Sequence, residues 1–254
     1  MKTNHLATIS AAVVTGCALL SSVAISQTVP PAGLTGTITA DQVTVLNGQK
    51  PSLKWTVNYP SVVGKVVTID ADKITPKIDL IADVRVIGQG VTGATSNGGY
   101  FFVPTYATMS INSETDFKSI FFGINPDVNP ANIIQLGNVF GSTYTNNLVQ
   151  GGKALRFGGY YTLNGSNGTH FKSCDGTNNI RFLVNGQTPP TNVPEYNAPS
   201  LESFLRPYLD TSGRVKIGPM DVIVFMELTH TAAQQSQAGY DLQDMILLVT
   251  FKNP

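Results

Sequence analysis

The chain has 254 residues with 16 basic and 16 acidic side chains, so its formal net charge is zero. Only 13% of the residues are charged and the Lys and Arg residues form no cluster, which excludes the basic stripe or patch that nucleic-acid-binding proteins present to phosphates. Apolar residues reach 42% and glycines number 24, a composition that fits a well-cored β-protein with a polar, neutral surface.

Residues 1–26 have the pattern of a signal peptide, typical of exported proteins. Lys2 and His5 give a short basic start, the stretch 6–20 is almost uncharged and apolar, and Ala24-Ile25-Ser26 has the small-x-small pattern of a signal peptidase site. The apolar stretch is shorter than the roughly 20 residues of a membrane span, and no later stretch supplies one. The sequence therefore predicts a secreted or cell-surface protein without a transmembrane segment.

A second interpretation of this segment places a lipid anchor on Cys17. Val14-Thr15-Gly16-Cys17 resembles the lipobox of bacterial lipoproteins, in which the cysteine is lipidated and becomes the new N-terminus, so that the protein is tethered to a bacterial membrane. The apolar run continues beyond Cys17, where a lipoprotein usually turns polar, and this favours cleavage after Ser26. Cys174 is then the sole cysteine of the mature chain, either as a free thiol or as a bridge between two chains.

The next segments predict an exposed leader and a first β module. Residues 27–36 contain Pro30-Pro31 and Gly33 and read as a leader. The module, 37–92, opens with a strand over 37–46, a tight turn at Asn47-Gly48 and an alternating strand over 52–59. This order, with Trp55 as a central core anchor, resembles the opening of bacterial immunoglobulin-like surface domains over residues 34–92. Further strands are expected over 62–69 and 78–87.

A glycine-rich stretch over 88–99 predicts a loop or module boundary. The second, larger module spans 93–254 and carries aromatic strands at 100–103, 119–122 and 160–163, separated by dense turn signals. We therefore expect an all-β fold, an antiparallel β-sandwich of immunoglobulin-like or jelly-roll-like type, either as one unit or as two packed modules.

One short helix and two buried strands complete the predicted elements. Ser200 can cap a helix near 200–206 in which Leu201, Phe204 and Leu205 share an apolar face. The stretches 220–228 and 244–251 are nearly continuous apolar runs, which indicates strands that are buried on both faces and central in a sheet.

Five acidic residues cluster in the C-terminal part of a chain that is otherwise sparing with charge: Asp210, Asp221, Glu227, Asp241 and Asp244. Calcium prefers oxygen ligands of this kind, so we treat these residues as candidate calcium ligands. Asp221 and Asp241 both stand at the entry to a buried strand, and we expect their carboxylates to converge at one sheet end. The alternative is that these acids cap turns and solubilise strand ends.

The sequence gives little support for a catalytic centre. The histidines of the mature chain are His170 and His230, and no Gly-x-Ser-x-Gly elbow presents a nucleophile. Glu227 and His230 can meet only if the strand ends between them. A pair of carboxylates that cleaves glycans stays open, so whether the protein is an enzyme is left undecided, with a non-enzymatic role favoured.

We therefore predict an exported structural or adhesive protein of the cell surface or matrix, whose partners are further copies of itself or surface glycans. The alternative is a secreted glycan-binding or glycan-cleaving domain, with calcium as an optional cofactor. An exposed groove lined by Tyr100, Tyr106, Tyr144 or Tyr160 together with two facing carboxylates would favour the alternative, and burial of these tyrosines would count against it.

Overall fold

The structure is a computed structural model that describes residues 35–40, 52–58, 60–113, 115–135, 147–189, 205–237 and 239–254, and in the first two ranges it describes the side chains of residues 38 and 52–54. The chain is all-β, and every pairing between its described strands is antiparallel. The strands are β1 Thr35–Ala40, β2 Leu53–Asn58, β3 Val67–Ile69, β4 Ile74–Pro76, β5 Leu80–Gln89, β6 Thr92–Ala94, β7 Tyr100–Phe102, β8 Thr105–Ile111, β9 Lys118–Gly123, β10 Leu148–Val149, β11 Leu155–Leu163, β12 Ser166–Asn167, β13 Phe171–Lys172, β14 Ile180–Val184, β15 Asp221–Met226 and β16 Met245–Lys252.

A five-stranded sheet with the order β10-β5-β16-β15-β14 forms the centre of the fold. Strands β15 and β16 correspond to the two apolar runs near the C-terminus, and the prediction that they are central in a sheet is confirmed. Their side chains are buried on both faces, as the apolar runs require. Strand β16 pairs along its whole length with β5 and over five residues with β15.

A second sheet has the path β3-β4-β11-β8-β9, with β12 and β13 attached to β11. The long strands β8 and β11 pair over seven residues, from Leu155 opposite Ile111 to Tyr161 opposite Thr105. Gly158 and Gly159 lie in the middle of β11, and a Cβ on Gly159 would come within 2.8 Å of the Tyr106 carbonyl oxygen. A Cβ on Gly158 would lie 2.8 Å from the Phe171 carbonyl oxygen, so these glycines allow close approach of the paired strands β8 and β13.

Both sheets contribute to one hydrophobic core. Leu80 and Val84 of β5 and Leu247 of β16 pack in the same buried cluster as Met109 of β8 and Phe157 of β11. A second cluster covers the opposite face of the five-stranded sheet, where Ile223, Phe225 and Ile246 pack against Val215 and Tyr240 from the C-terminal loops. The five-stranded sheet is thus covered on both faces, and this explains its unbroken apolar strands.

Strand pairing joins residues on both sides of the predicted boundary near residue 92. Strand β5 lies within the predicted first module and β16 within the second, yet they pair over residues 81–89 and 245–252. The glycine-rich stretch that suggested the boundary forms the end of β5 and the small β6-β7 hairpin.

The sequence predicted two N-terminal strands joined as a hairpin, and their antiparallel pairing is confirmed. Strands β1 and β2 pair antiparallel, with Ile38 opposite Trp55 and Ala40 opposite Leu53. The predicted turn at Asn47-Gly48 and the side chain of Trp55 lie outside the described residues, as do residues 1–34 with the predicted signal peptide, the leader up to residue 34 and Cys17. Alternation over 52–59 predicts a half-buried strand with Leu53 on its apolar face, but the Leu53 side chain is 54% exposed.

Two other expectations concern local elements. The predicted strand over 62–69 is wrong in its first half: residues Val63–Lys65 form a 3₁₀ turn, in which the Lys65 and Val66 N–H groups donate to the Val62 and Val63 carbonyls. Only β3 remains extended. Most of the helix predicted near 200–206, including Ser200, Leu201 and Phe204, lies outside the described residues. A 3₁₀ turn, Arg206–Tyr208, follows the buried Leu205.

Candidate functional site

Three of the five predicted acidic ligands meet at one end of the five-stranded sheet. Glu227 follows the last residue of β15, Asp244 precedes the first residue of β16, and Asp241 lies in the loop before it. One carboxylate oxygen of each lies within 4.8 Å of the others. Glu227 is fully buried and Asp244 is 5% exposed, so this carboxyl cluster lies largely inside the protein.

The carboxyl cluster organises the turn that leaves β15. Glu227 Oε1 accepts hydrogen bonds from the backbone N–H groups of Thr229 (3.1 Å) and His230 (2.9 Å) and from the Thr229 hydroxyl (2.7 Å). Asp244 Oδ2 accepts from the N–H groups of Leu228 (2.6 Å) and Thr229 (3.0 Å). The Asp241 N–H donates to Glu227 Oε2 at 3.0 Å. The carboxyl groups thus satisfy backbone donors that would otherwise be buried without partners.

Burial sets the electrostatics of the cluster. Desolvation, followed by the charge of Glu227, raises the pKa of Asp241 to about 7, against the lowering effect of the Gln243 N–H. Desolvation also holds the pKa of Asp244 well above its ordinary value, and the charges of Glu227 and Asp241 add to this rise. Three carboxyl groups this close cannot all stay charged without compensation. Protons or a cation must neutralise part of the cluster.

The chemistry open to this cluster is limited by its burial. Carboxylate oxygens at these separations fit a hard cation such as calcium, which takes six to eight oxygen ligands, but several of the oxygens already accept backbone hydrogen bonds. Glycan cleavage requires two carboxyls that contact the sugar, and fully buried Glu227 cannot do so in this conformation. The cluster therefore supports a structural or cation-binding role more than a hydrolytic one.

The other two predicted ligands lie elsewhere. The expected convergence of Asp221 with Asp241 does not occur: β15 and β16 are antiparallel, and Asp221 lies opposite Thr250, at the far end of the pair from Asp244. Asp221 Oδ2 accepts the Gly218 N–H at 2.8 Å. Asp210 closes an exposed turn, in which the Ser212 hydroxyl and the Arg214 N–H lower its pKa. Both side chains accept hydrogen bonds from backbone N–H groups within four residues.

His230 lies beside the carboxyl cluster, whereas His170 lies on the second sheet. His230 Nδ1 lies 3.3 Å from Glu227 Oε1, so the pair meets where the strand ends, as the sequence allowed. His170 lies on the outer face of the second sheet, where its Nε2 is 2.9 Å from the Thr108 hydroxyl oxygen. Desolvation, followed by the charge of Lys172, lowers the pKa of His170.

A row of aromatic rings crosses the outer face of the second sheet. Tyr106 of β8 stacks between Phe122 of β9, at a centroid distance of 4.3 Å, and Tyr160 of β11, at 4.6 Å. His170 lies 5.1 Å beyond Tyr160. Phe122 is 55% exposed, whereas the two tyrosines are half-buried because their ring faces cover one another. Both tyrosines were candidate groove residues in the sequence analysis. Their alignment with Phe122 depends on the strand register, which the sequence does not show.

An open cleft lies where the two large sheets come together. It has a volume of about 810 Å³ and is lined by all of β3 and all of β14, with Ser61 and Gln187 among its other wall residues. In the described part of the chain each of these strands has one strand partner, β4 for β3 and β15 for β14. The edges of both sheets therefore face the same cleft.

The floor of this cleft is apolar and its rim is polar. Ile180 and Val67 are buried, and Ile69, Phe182 and Val184 are partly buried and pack against the shared core. Asp70, Lys77 and Arg181 also line the cleft, and Lys77 Nζ donates to the Gly64 carbonyl at 3.0 Å. This combination of outer strand edges and an apolar floor is the geometry in which an extended peptide adds to a sheet.

Comparison with protein-family models, with curated proteins and with solved structures finds no match for this chain. The function is therefore argued from the geometry above. Within the described ranges, no helix is long and apolar enough to cross a membrane. Cys174 is exposed and forms no disulfide in this single chain.

Proposed function

We propose that this protein is exported and acts outside the cell or at the cell surface as a structural or adhesive subunit, through association of its sheet edges with further copies of the chain. One observation carries the proposal: the apolar cleft that is flanked by the outer edges of β3 and β14, each with a single strand partner among the described residues. A sheet edge with apolar side chains is a template for pairing with another chain, and β14 carries a single charged residue, Arg181. At one end of this edge the Val184 N–H and carbonyl group are bonded to Gln187.

Export is part of the same proposal. Removal of residues 1–26 would give a secreted or surface protein with the exposed Cys174 as its only cysteine. The lipid-anchored alternative starts the mature chain at Cys17. Mass spectrometry of the protein from its native host distinguishes the two, because an N-terminus at Gln27 rules out the anchor and a lipidated N-terminal Cys17 rules out the secreted form.

The finer fold class belongs to the proposal as well. We favour a β-sandwich of immunoglobulin-like or jelly-roll-like type, which is supported by the core that both antiparallel sheets share. The division into modules over 37–92 and 93–254 stays part of the proposal in its packed form, in which the pairing of β5 with β16 joins the two modules.

Sedimentation velocity tests the assembly proposal. We expect species larger than a monomer that grow with protein concentration, and a monomer at every concentration would refute the proposal. The same measurement in calcium and in chelator tests the carboxyl cluster as a calcium site. Species that depend on calcium would support a cation at Glu227, Asp241 and Asp244, which the proximity of their oxygens alone does not establish.

Glycan binding is the second candidate function, and the aromatic row on the second sheet favours it. Aromatic rings and hydroxyl groups on an open face are typical contacts for sugars, since a ring offers a large apolar surface and the hydroxyl a hydrogen bond. The faces of Tyr106 are covered by its neighbours, so the accessible elements are the outward face of Phe122 and the edges of both tyrosines. The exposed Tyr100, at 47%, lies outside this row, and Tyr144 lies outside the described residues.

A glycan array with matched variants tests this candidate. Binding that Phe122→Ala abolishes and that Phe101→Ala leaves intact would place the sugar on the aromatic row, because both rings are exposed phenylalanines on different strands. Absence of binding to every glycan, or equal loss in both variants, would refute it.

A further inference from the structure

A second, smaller cleft opens at one end of the second sheet and is lined by three cationic side chains. It has a volume of about 360 Å³. Lys73 directly precedes β4, Lys153 lies two residues before β11, and Arg156 is the second residue of β11. Among the described residues that line this cleft, none is acidic; the others are Thr75, Asn112, Ser113, Gly152 and Ala154. We call it the cationic cleft.

One acid compensates part of this charge. Asp72 Oδ2 lies 3.6 Å from Arg156 Nη2 and 3.8 Å from Lys73 Nζ. The Arg156 side chain is buried, and its Nη1 also donates to the Ser113 carbonyl at 3.4 Å. The guanidinium group is therefore held in a fixed position at the wall of the cationic cleft, whereas Lys73 makes only the long contact to Asp72.

Lys153 adds a charge that is not compensated. It is exposed and forms no salt bridge with another described residue. Asp79 lies next to β5, and its Oδ1 accepts the Gly151 N–H of the neighbouring loop at 2.8 Å. Even if Asp79 is counted together with Asp72, the cationic cleft keeps an excess of positive charge. Such an excess in a concave site attracts anions.

The strand register places the cationic cleft and the aromatic row on the same face of the sheet. Between β8 and β11, Tyr106 lies opposite Tyr160, Thr108 opposite Gly158, and Ser110 opposite Arg156. These residues alternate with Met109 and Phe157, which belong to the core, so all six lie on the outer face. Arg156 and Tyr160 are four residues apart along β11, which corresponds to about 13 Å.

The surface between the two features is low and polar. Gly158 has no side chain, and a Cβ there would lie 3.1 Å from His170 Nε2 and 2.8 Å from the Thr108 hydroxyl oxygen. Lys172 lies opposite Gly158 in the pairing of β11 with β13, and its Nζ is 5.2 Å from the centre of the Phe117 ring. The middle of the face thus offers an imidazole, a hydroxyl group and a further ammonium group.

We infer that the glycan of the second candidate function is an acidic one and that it lies along the outer face of the second sheet, with a carboxylate or sulfate group in the cationic cleft. This step rests on the glycan-binding candidate. Guanidinium and ammonium groups form charge-assisted hydrogen bonds with such groups, while the outward face of Phe122 offers an apolar surface to a sugar ring. A neutral glycan would leave the excess charge of the cationic cleft without a partner.

Isothermal titration calorimetry with paired probes tests the charge of the ligand. The first pair is an oligomer of galacturonic acid and its fully methyl-esterified form, and the second is sulfated dextran and dextran of equal length. At low salt we expect the acidic member of at least one pair to bind about tenfold more tightly than its neutral partner. The difference should shrink as salt is added, because exposed charges are screened. Equal affinities within both pairs would overturn the inference.

A double variant tests the position of the charged group. Lys73→Ala together with Lys153→Ala removes two charges and leaves the buried Arg156 in place. Since an exposed ion pair contributes up to about fivefold in affinity, the acidic probe should bind roughly tenfold more weakly and the neutral probe equally well. The matched control is Lys216→Ala, an exposed lysine beside Val215, which packs on the far face of the five-stranded sheet. It should change neither affinity, and an equal Tm of both variants and the wild type verifies that they fold.

Phe122→Ala separates failure of this inference from failure of the glycan candidate. If Phe122→Ala weakens both members of a pair and the lysine double variant weakens neither, the glycan candidate survives and the charged group is wrong. If only the lysine double variant weakens binding, the cationic cleft binds anions by itself, which overturns the inference and counts against the aromatic row. Inorganic polyphosphate is the anion without a sugar. If it binds as tightly as the acidic oligomers, charge alone decides and the inference is wrong.

Discussion

Replacement of Asp241 by asparagine is expected to stabilise the protein at pH 8 and to leave its stability at pH 4 nearly unchanged. Asparagine resembles the protonated acid in shape, and its carbonyl oxygen can still accept the Gln243 N–H that Asp241 Oδ1 accepts at 2.9 Å. The substitution removes the charge that burial and the neighbouring Glu227 make costly. The hydrogen bonds of the loop are kept.

The sign follows from the direction of the pKa shift. The folded state raises the pKa of Asp241 from 3.8 to about 7. Between these two pH values the folded protein holds a proton that the unfolded chain has released, so stability falls as pH rises through this window. Above it both states are ionised and the full cost remains. Each pKa unit corresponds to about 1.4 kcal/mol. The rise from 3.8 to about 7 therefore means that the ionised Asp241 lowers the free energy of unfolding at pH 8 by roughly 4 kcal/mol. This is an upper bound, because Asp241 keeps some contact with solvent.

Thermal unfolding from pH 4 to pH 8 in a chelator is the assay. For a chain of this size 1 kcal/mol moves Tm by roughly 2–4 °C, so the bound of roughly 4 kcal/mol means that Asp241→Asn should raise Tm at pH 8 by at most about 8–16 °C. Asp210→Asn is the control: the pKa of Asp210 is lowered by its hydrogen bonds to Ser212 and Arg214, so its removal should not stabilise the protein at pH 8. Identical pH profiles for wild type and Asp241→Asn would refute the electrostatic reasoning. If a cation occupies the cluster, calcium should raise the Tm of the wild type at pH 8 and do so less in Asp241→Asn.

Three further outcomes are expected. Phe157→Ala should cost about 3–5 kcal/mol in urea unfolding, because the Phe157 ring is fully buried between the two sheets and a cavity would remain; a loss below about 1 kcal/mol would contradict this core. Gly159→Ala should destabilise by more than about 1 kcal/mol, since its Cβ would meet the Tyr106 carbonyl oxygen at 2.8 Å, whereas Gly64→Ala, with open space at its Cβ, should be nearly neutral. Cys174→Ser should leave Tm unchanged and remove any disulfide-linked dimers from a non-reducing gel; dimers that persist would point to another cross-link.

The elements that sequence predicted best are those whose pattern is set by local burial. Strands β15 and β16 are continuous apolar runs, and only a strand that is covered on both faces buries such a run completely. The Asp210 side chain accepts the Ser212 N–H at 2.8 Å within its own turn, a contact between residues two apart of the kind that the turn-capping alternative describes. The hairpin β1-β2 was predicted from alternation and a turn signal.

Pairing between distant strands could not be predicted in this way. Strand β5 pairs with β16 across more than half of the chain, and no local pattern encodes that partner. The expected meeting of Asp221 with Asp241 failed for a related reason. In an antiparallel pair the start of one strand lies beside the end of the other, so the acid that joins Asp241 and Asp244 is Glu227, at the end of β15. The acids were identified, but their grouping depended on strand direction.

Strand β14 shows what a side-chain pattern reports and what it leaves open. Phe182 and Val184 pack against the shared core, and Leu183 packs against the cluster on the opposite face beside Arg181, so the pattern reports how the two faces of the strand are covered. In the described part of the single chain it has one partner. The edge of a strand presents backbone groups rather than side chains, so no side-chain pattern states whether a further strand pairs there. The assembly proposal therefore depends on the cleft and the strand edges that flank it, and sedimentation velocity tests it where the sequence pattern cannot.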